Sequence, residues 1–352
     1  VLKSMKYLTF TVPCYNSQDY MERCIDSLLV GGTDVEIIII DDGSTDQTGA
    51  IADAYQARYP DIVKAVHQPN GGHGAGVNKG LSLATGIYFK VVDSDDWLDC
   101  DAYQKLLQQI KTFCSIQEAD KSGNTPIPDL FVCNYIYDHL NEGTQKKISY
   151  ENVFPTEKIC NWNQIGHFRV SQYLIMHSLI FRTATLLESG VKLPEHMFYV
   201  DNLFACQPLY YVKSIYYMDL DLYHYFLGRD DQSVNEKVLM QRINQQIEVT
   251  KLVAQSADLA QIRKTYPKLE RYLCRNISIM MAISSIHLLL IQTRAAQEQR
   301  ADLWEELKNY NSALYYRLRF CTLSGFTYLP TKAGDHLTLW GYRTAQKLFM
   351  FQ

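Results

Sequence analysis

Apolar positions along this chain recur in two rhythms, and the change from one to the other divides it. Residues 7–12 (YLTFTV) read as a first strand, stopped by Pro13, which cannot continue a central ladder. Ser17 is placed to cap a helix whose apolar residues Tyr20, Cys24, Ile25, Leu28 and Leu29 share one face, and Gly31 and Gly32 end it. Residues 35–40 (VEIIII) form a nearly unbroken β-branched run, as a parallel strand covered on both faces requires. The run enters DDGSTD at 41–46, where Asp46 is placed to cap a helix through about Tyr59. A third strand follows at 63–68, then the loop PNGGHGAG and a helix to about Thr85, with Gly86 at its C-terminal cap. Residues 87–92 form a fourth strand that delivers VVDSDDWLD at 91–99. This alternation predicts an α/β fold: a mostly parallel sheet flanked by helices.

Beyond Asp99 the pattern predicts a helix at 102–113, a polar loop at 117–128 and strands at 129–135 and 173–182. Short helices at 183–189 and 201–212 and a strand at 214–219 follow. From about Val234 the β-rhythm stops, and helical periodicity runs through 234–257, 268–293 and 296–320. The expected division is therefore an α/β domain over 1–232, with halves 1–100 and 101–232, and a C-terminal helical domain over 233–352. The most apolar long window, ISIMMAISSIHLLLIQ at 277–292, is short for a membrane span and carries His287 and three serines, so a buried core helix is expected. Peripheral contact with a membrane stays open for that window, and the last 20 residues could form an amphipathic helix but read rather as a packing helix.

Composition narrows the class. Apolar residues make up 47% and charged ones 20%, which predicts a packed core rather than disorder. A net charge of −4 gives no basic excess for nucleic acid, so none is expected as a partner. Nine scattered cysteines with no C-x-x-C pair point to reduced buried thiols and a cytoplasmic location. No secretory signal is read at residues 7–12, which lead directly into the fold.

The candidate chemistry lies where the strands end. Asp93, Asp95 and Asp96 fall within four positions, and carboxylates this close repel unless a hard cation such as Mg²⁺ or Mn²⁺ sits between them. Ligands of open α/β sheets bind beyond the carboxyl ends of the strands, so the four loops there converge. They carry Tyr15 and Asn16; Asp41, Asp42 and Ser44; Asn70 through Gly74; and the acidic turn. An aromatic face, an acceptor carboxylate, a glycine-rich loop and a metal clamp describe a nucleoside-diphosphate site. No glycine-rich loop follows the first strand, and Val77 stands where GGHGAG would need a glycine to match G-x-G-x-x-G. Dinucleotide and P-loop chemistry are thereby disfavoured. A nucleotidyltransferase is disfavoured too, because 14–19 lacks a Gly- and Arg-rich loop.

VPCYN at 12–16, IIIIDDGSTD at 37–46, NGG at 70–72 and VVDSDDW at 91–97 together resemble family 2 of the glycosyltransferases. The resemblance covers roughly residues 7–230. It implies the Rossmann-like GT-A fold, an inverting reaction, a nucleoside-diphosphate sugar as donor and Mn²⁺ or Mg²⁺ as cofactor. The donor site it implies takes in Pro13, Tyr15, Asp42, Asn70, Gly72 and His73. Tyr15 would lie against the nucleobase, and Asp42 would hydrogen-bond the base or ribose; an accepting carboxylate favours uridine, whose N3–H it would receive. Asp93 would reach the ribose beside Ser94, Asp95 would hold the metal, and Asp96 would compete for it. Relatives carry an acidic pair whose Asp is the base; FYVDN at 198–202 places Asp201 there, with Val200 where Glu is usual. Val77 stands where relatives often carry Arg, and Lys79 or His73 is the expected substitute. YHYFLGRDDQSV at 223–234 resembles a site-closing segment in which Arg229 would pair with the diphosphate. Glu195 and His196 lie on the loop before Asp201, while His177 and His224 read as core histidines. The acceptor implied is a glycan or a lipid-linked hydroxyl in polysaccharide synthesis at the inner face of a membrane. The alternative is a non-catalytic sugar-nucleotide-binding or scaffold protein, which Val200 makes thinkable.

Overall fold

The computed structural model describes residues 5–120, 127–139, 143–169, 172–227 and 236–349. Its contacts divide the chain into two units, Val1–Gly228 and Arg229–Gln352. The expected boundary near 232 falls outside the described residues.

The first unit is built on strands β1 (Leu8–Cys14), β2 (Val35–Asp41), β3 (Val63–His67) and β4 (Tyr88–Val91). Helices α1 (Met21–Leu29), α2 (Thr48–Arg58) and α3 (His73–Leu83) alternate with them, and β1–β2, β2–β3 and β1–β4 all pair in parallel. After β5 (Trp97–Leu98) and α4 (Cys100–Ala119) the pattern changes. Strands β6 (Leu130–His139), β7 (Thr144–Ile148), β8 (Ile159–Cys160) and β9 (Leu179–Arg182) lead through α5 (Thr183–Ser189) and α6 (Asp201–Cys206) to β10 (Ile215–Leu227). The sheet order is β3-β2-β1-β4-β9-β6-β10-β5, with β7 on β6 and β8 on β10. The half-sheet through β4 is parallel; beyond it β9 is antiparallel to both β4 and β6, so the sheet as a whole is mixed.

Pro13 does not stop β1. The strand continues to Cys14, paired with Asp41. Thr11 O accepts from Val92 N at 3.0 Å on the β4 side, and Pro13, two residues on, presents its nitrogen to that same side. The β1–β4 register ends at Thr11↔Val91, so the missing N–H falls where the ladder is already over. Ser17 is not the cap of α1, whose N-cap is Tyr20. Its hydroxyl instead bonds Ser94 Oγ at 2.8 Å.

Two other expectations are shortened. The strand expected at 173–182 is β9 alone, preceded by the 3₁₀ turn Met176–Ser178. The helix expected at 201–212 is α6 followed by the 3₁₀ turn Gln207–Tyr211, where Pro208 prevents α-helical continuation.

The second unit is helical: α7 (Glu236–Gln241), α8 (Ile243–Gln255), α9 (Leu259–Thr265), α10 (Pro267–Ile291), α11 (Arg294–Tyr310), α12 (Ser312–Cys321) and α13 (Thr331–Phe349). Helix α10 is long and apolar enough to cross a membrane by length and composition, with a mean hydropathy of 1.6 over its most apolar window. Within the unit 61% of that window is buried. Ser284 meets Thr250 of α8 and Ser285 meets Trp304 of α11, so its serines serve helix packing.

Candidate active site

The loops at the carboxyl ends of β1 to β4 are tied together by their own polar side chains. Asn16, at a φ of 49°, accepts from Thr45 N through its side chain and donates its N–H to Ser44 Oγ. Asp42 is buried, at 3% exposure, and its carboxylate accepts from Gly71 N, Gly72 N and Gln68 Nε2 at 2.7–2.9 Å. Asn70 Nδ2 closes the same loop on Asp42 O at 2.9 Å. The acid expected to read the nucleobase therefore holds the 70–72 loop in this structure. Tyr15, expected against the nucleobase, is more than half exposed. Pro13 is buried; a Cβ on Gly76 of α3 would lie 2.9 Å from its own Cβ.

Gly72 carries a φ of 82°, and a Cβ there would meet the His196 backbone at 3.1 Å. His196 N donates to Gly71 O at 2.6 Å, so this loop seats the segment leading to Asp201. Asn78 of α3 clamps the same segment at Leu193 in both directions, at 2.8 and 2.9 Å. His196 and Tyr199 both hold positive φ, 51° and 66°, which non-glycine residues rarely adopt and which clusters at functional sites.

At the centre His73 Nε2 meets Asp93 Oδ1 at 2.9 Å. Burial opposes the charged ring of His73, but Asp93, with Asp201 and Asp95 further out, pushes its pKa up. Burial likewise opposes ionisation of Asp93, yet His73, then His177 and Lys90, hold its carboxyl below the usual carboxylate range. Asp201 is pushed up by burial and by Asp93, with His73 pulling against them. It is the first residue of α6 and not its cap; the N-cap is Val200, which makes no side-chain bond.

Asp96 is fully buried, and both its oxygens are engaged: Oδ2 accepts from Tyr223 OH at 2.6 Å and Oδ1 from Phe226 N at 2.8 Å. Burial first, then Asp95 and Asp93, push its pKa well up. It thus moors the acidic turn to β10. Tyr223 OH also accepts from Asp93 N at 3.1 Å. Asp93, Asp96 and His177 each bring one ligand atom within 4.8 Å of the others. His177 Nδ1 is buried without a hydrogen-bond partner, an orphan of the kind a ligand satisfies. Burial lowers the His177 pKa to about 4, leaving a neutral imidazole with a lone pair. This acid–acid–imidazole set fits a divalent cation. Asp95 is not in that group; its carbonyl accepts from Arg23 Nη2 at 3.0 Å.

Beneath the turn lies Lys90 of β4, fully buried, its Nζ donating to His177 O at 2.6 Å and standing 4.9 Å from the Tyr223 ring centre. Sequence reading passed over it, although a lysine inside YFKVV is a signal of its own. His177 was read as a core histidine and is one of the converging groups. Lys79 is not brought to the acids. Six residues beyond His73 on α3 it is turned roughly 240° away and stands exposed. Arg229 lies outside the described residues. Glu195 is exposed on the loop before Asp201.

Residues 9–170 match the family described as glycosyl transferase family 2. Over those residues, just under half of the chain, it is similar to the family 2 glycosyl transferases. It is 26% identical to EpsH of Bacillus subtilis (strain 168) over 317 residues, 86% of this chain and 81% of that one. YibD of Escherichia coli (strain K12) is 25% identical over 72% of each chain; both are named as glycosyltransferases. Among solved structures, residues 1–349 of S. aureus TarS with UDP-GlcNAc superpose at a TM-score of 0.67 and 19% identity. That superposition covers 98% of this chain and 92% of TarS 1–349 and shows a shared fold. The match to an enzyme family favours catalysis over the scaffold alternative. It also gives the cleft a meaning: the converging loops lie where the family motifs stand.

Proposed function

We propose that the enzyme moves a sugar from a nucleoside-diphosphate sugar to a hydroxyl of a glycan or lipid-linked acceptor, by one in-line displacement with inversion. The observation that carries this reading is the His73–Asp93 hydrogen bond, with Asp201, the base candidate, near enough to help push the His73 pKa up. Asp201 accepts the proton of the attacking hydroxyl, and its raised pKa brings it closer to that task. His73, whose pKa its acid neighbours push up, is the group placed to offer positive charge to the departing diphosphate. It takes the part that Arg plays in relatives.

Asp93, Asp96 and His177 would hold Mn²⁺ or Mg²⁺. Bound there, the ion supplies neutralisation of charge on the leaving nucleoside diphosphate. Uridine is the first choice of nucleotide, supported by the UDP-GlcNAc complex of TarS. In this reading Tyr15 stacks on the base from the rim, and the loop that Asp42 holds presents backbone groups of Asn70 and Gly72 to it. Ser94, fixed by Ser17, shapes the turn beside the ribose. A location at the inner face of a membrane belongs to the same reading.

A thermal-shift panel of nucleoside diphosphates with and without Mn²⁺ tests it. UDP at a hundred times its dissociation constant stabilises by about 2.7 kcal/mol. Equal or tighter binding of GDP overturns the uridine assignment.

A further inference from the structure

Side-chain charge is unevenly divided between the two units. Residues 1–228 carry 17 Lys and Arg against 27 Asp and Glu, a net of −10. Residues 229–352 carry 17 against 11, a net of +6. The overall −4 conceals a strongly basic second unit.

That unit also exposes apolar side chains in one short stretch. Tyr316 and Phe320 on α12, Leu323 and Phe326 on the following 3₁₀ turn (Leu323–Tyr328), and Leu337 and Trp340 on α13 are each 54–69% exposed. The first four recur every three or four residues, and the Tyr316 and Phe320 rings stack 6.2 Å apart. The frame beneath them is hydrogen-bonded. Arg319 Nη1 donates to Gly325 O at 3.0 Å, Thr338 Oγ1 of α13 to Phe326 O at 2.8 Å, and Ser278 Oγ of α10 to Ser324 Oγ at 3.0 Å. Trp304 stacks on Tyr328 at 5.2 Å. A strip this apolar on a fixed frame marks an interaction surface.

Charge decides the partner. Arg317, Arg343 and Arg300 are already paired with Glu270, Glu236 and Asp335. Arg319 lies against the Phe320 and Tyr328 rings, and among the described residues neither it nor Lys332 forms an ion pair. Aromatic and aliphatic side chains with interspersed cations on a basic body suit the headgroup region of an anionic bilayer. Duplex nucleic acid would use the charge and leave the strip uncovered.

We propose that the second unit docks on an anionic lipid surface through the α12–turn–α13 strip. The assignment does not depend on the donor or acceptor of the transfer reaction. Flotation of the full chain with vesicles of phosphatidylglycerol and phosphatidylcholine, against phosphatidylcholine alone, tests it. The expected result is binding to the anionic vesicles that weakens in high salt. A double variant, F320S with L323S, should bind at least tenfold less while keeping its melting temperature and its nucleotide affinity. No binding to anionic vesicles, or equal binding by the variant, overturns the proposal. So does a concentration-dependent dimer that the variant abolishes, which would assign the strip to a second copy of the chain. Binding to duplex DNA that the double substitution leaves intact, without vesicle binding, would assign the charge to nucleic acid instead.

Discussion

Lys90 is the residue whose burial says most about the site. Removal from water lowers its pKa to about 7, even though Cys133, Asp93 and Asp96 pull it upward. An unfolded chain holds that proton up to its ordinary value near 10.5, so between the two the unfolded state binds more protons and stability rises with pH. Urea denaturation from about pH 7 to about pH 7.5, where the cysteines of the unfolded chain are still mostly protonated, should show that rise. Lys90→Met should flatten it, and an unchanged slope in the variant would remove the buried lysine from the explanation. The metal assignment is tested alongside. Asp93→Asn should abolish Mn²⁺-dependent tightening of UDP binding in calorimetry, with Asp95→Asn doing less harm; the reverse order returns the ion to Asp95. The sequence of the acidic turn does not show that Asp96 is fixed from afar, because its partners Tyr223 and Phe226 lie 127 and 130 residues further on.

At the scale of elements, strands β1 to β4 and their parallel order were legible, as was the existence of β6, β9 and β10, but not how those three join the sheet. Strands β1 to β4 announce themselves through β-branched runs that local helices cover. The route through β9, β6 and β10 depends on pairings between distant segments, antiparallel at β4–β9 and β9–β6 and parallel at β6–β10, which periodicity does not encode. Helix α3 shows the limit at a finer grain: its sequence offered Lys79 and His73 as equals, and only the 3.6-residue turn separates them. The same helix holds the acceptor segment, because a Cβ on Gly74 would lie 2.4 Å from Pro194 O. Gly74→Ala should therefore push residues 191–196 off α3, costing about 1–3 kcal/mol by analogy with overpacked cores. Denaturation and steady-state kinetics check this, with a loss of transfer rate larger than the loss of UDP affinity. Wild-type stability and rate in Gly74→Ala would mean that this contact does not seat the segment.

For the whole molecule, the family resemblance was readable because its motifs sit where the sheet edge gathers them, while the second unit carries none. Its character appears only when charge and exposure are taken unit by unit. The central claim is that the cleft is a transfer site with Asp201 as its base. A raised Asp201 pKa places the acid limb of the rate profile above the usual carboxylate range, with activity rising as the pH rises through it. The most direct measurement is nucleoside-diphosphate release from a panel of sugar nucleotides by wild type and by Asp201→Asn. The account predicts release from a UDP-sugar by the wild type and a fall of about 10²–10⁴-fold in the variant, with UDP affinity and melting temperature kept. A well-folded Asp201→Asn enzyme that transfers at the wild-type rate would contradict it and send the search for the base to Glu195.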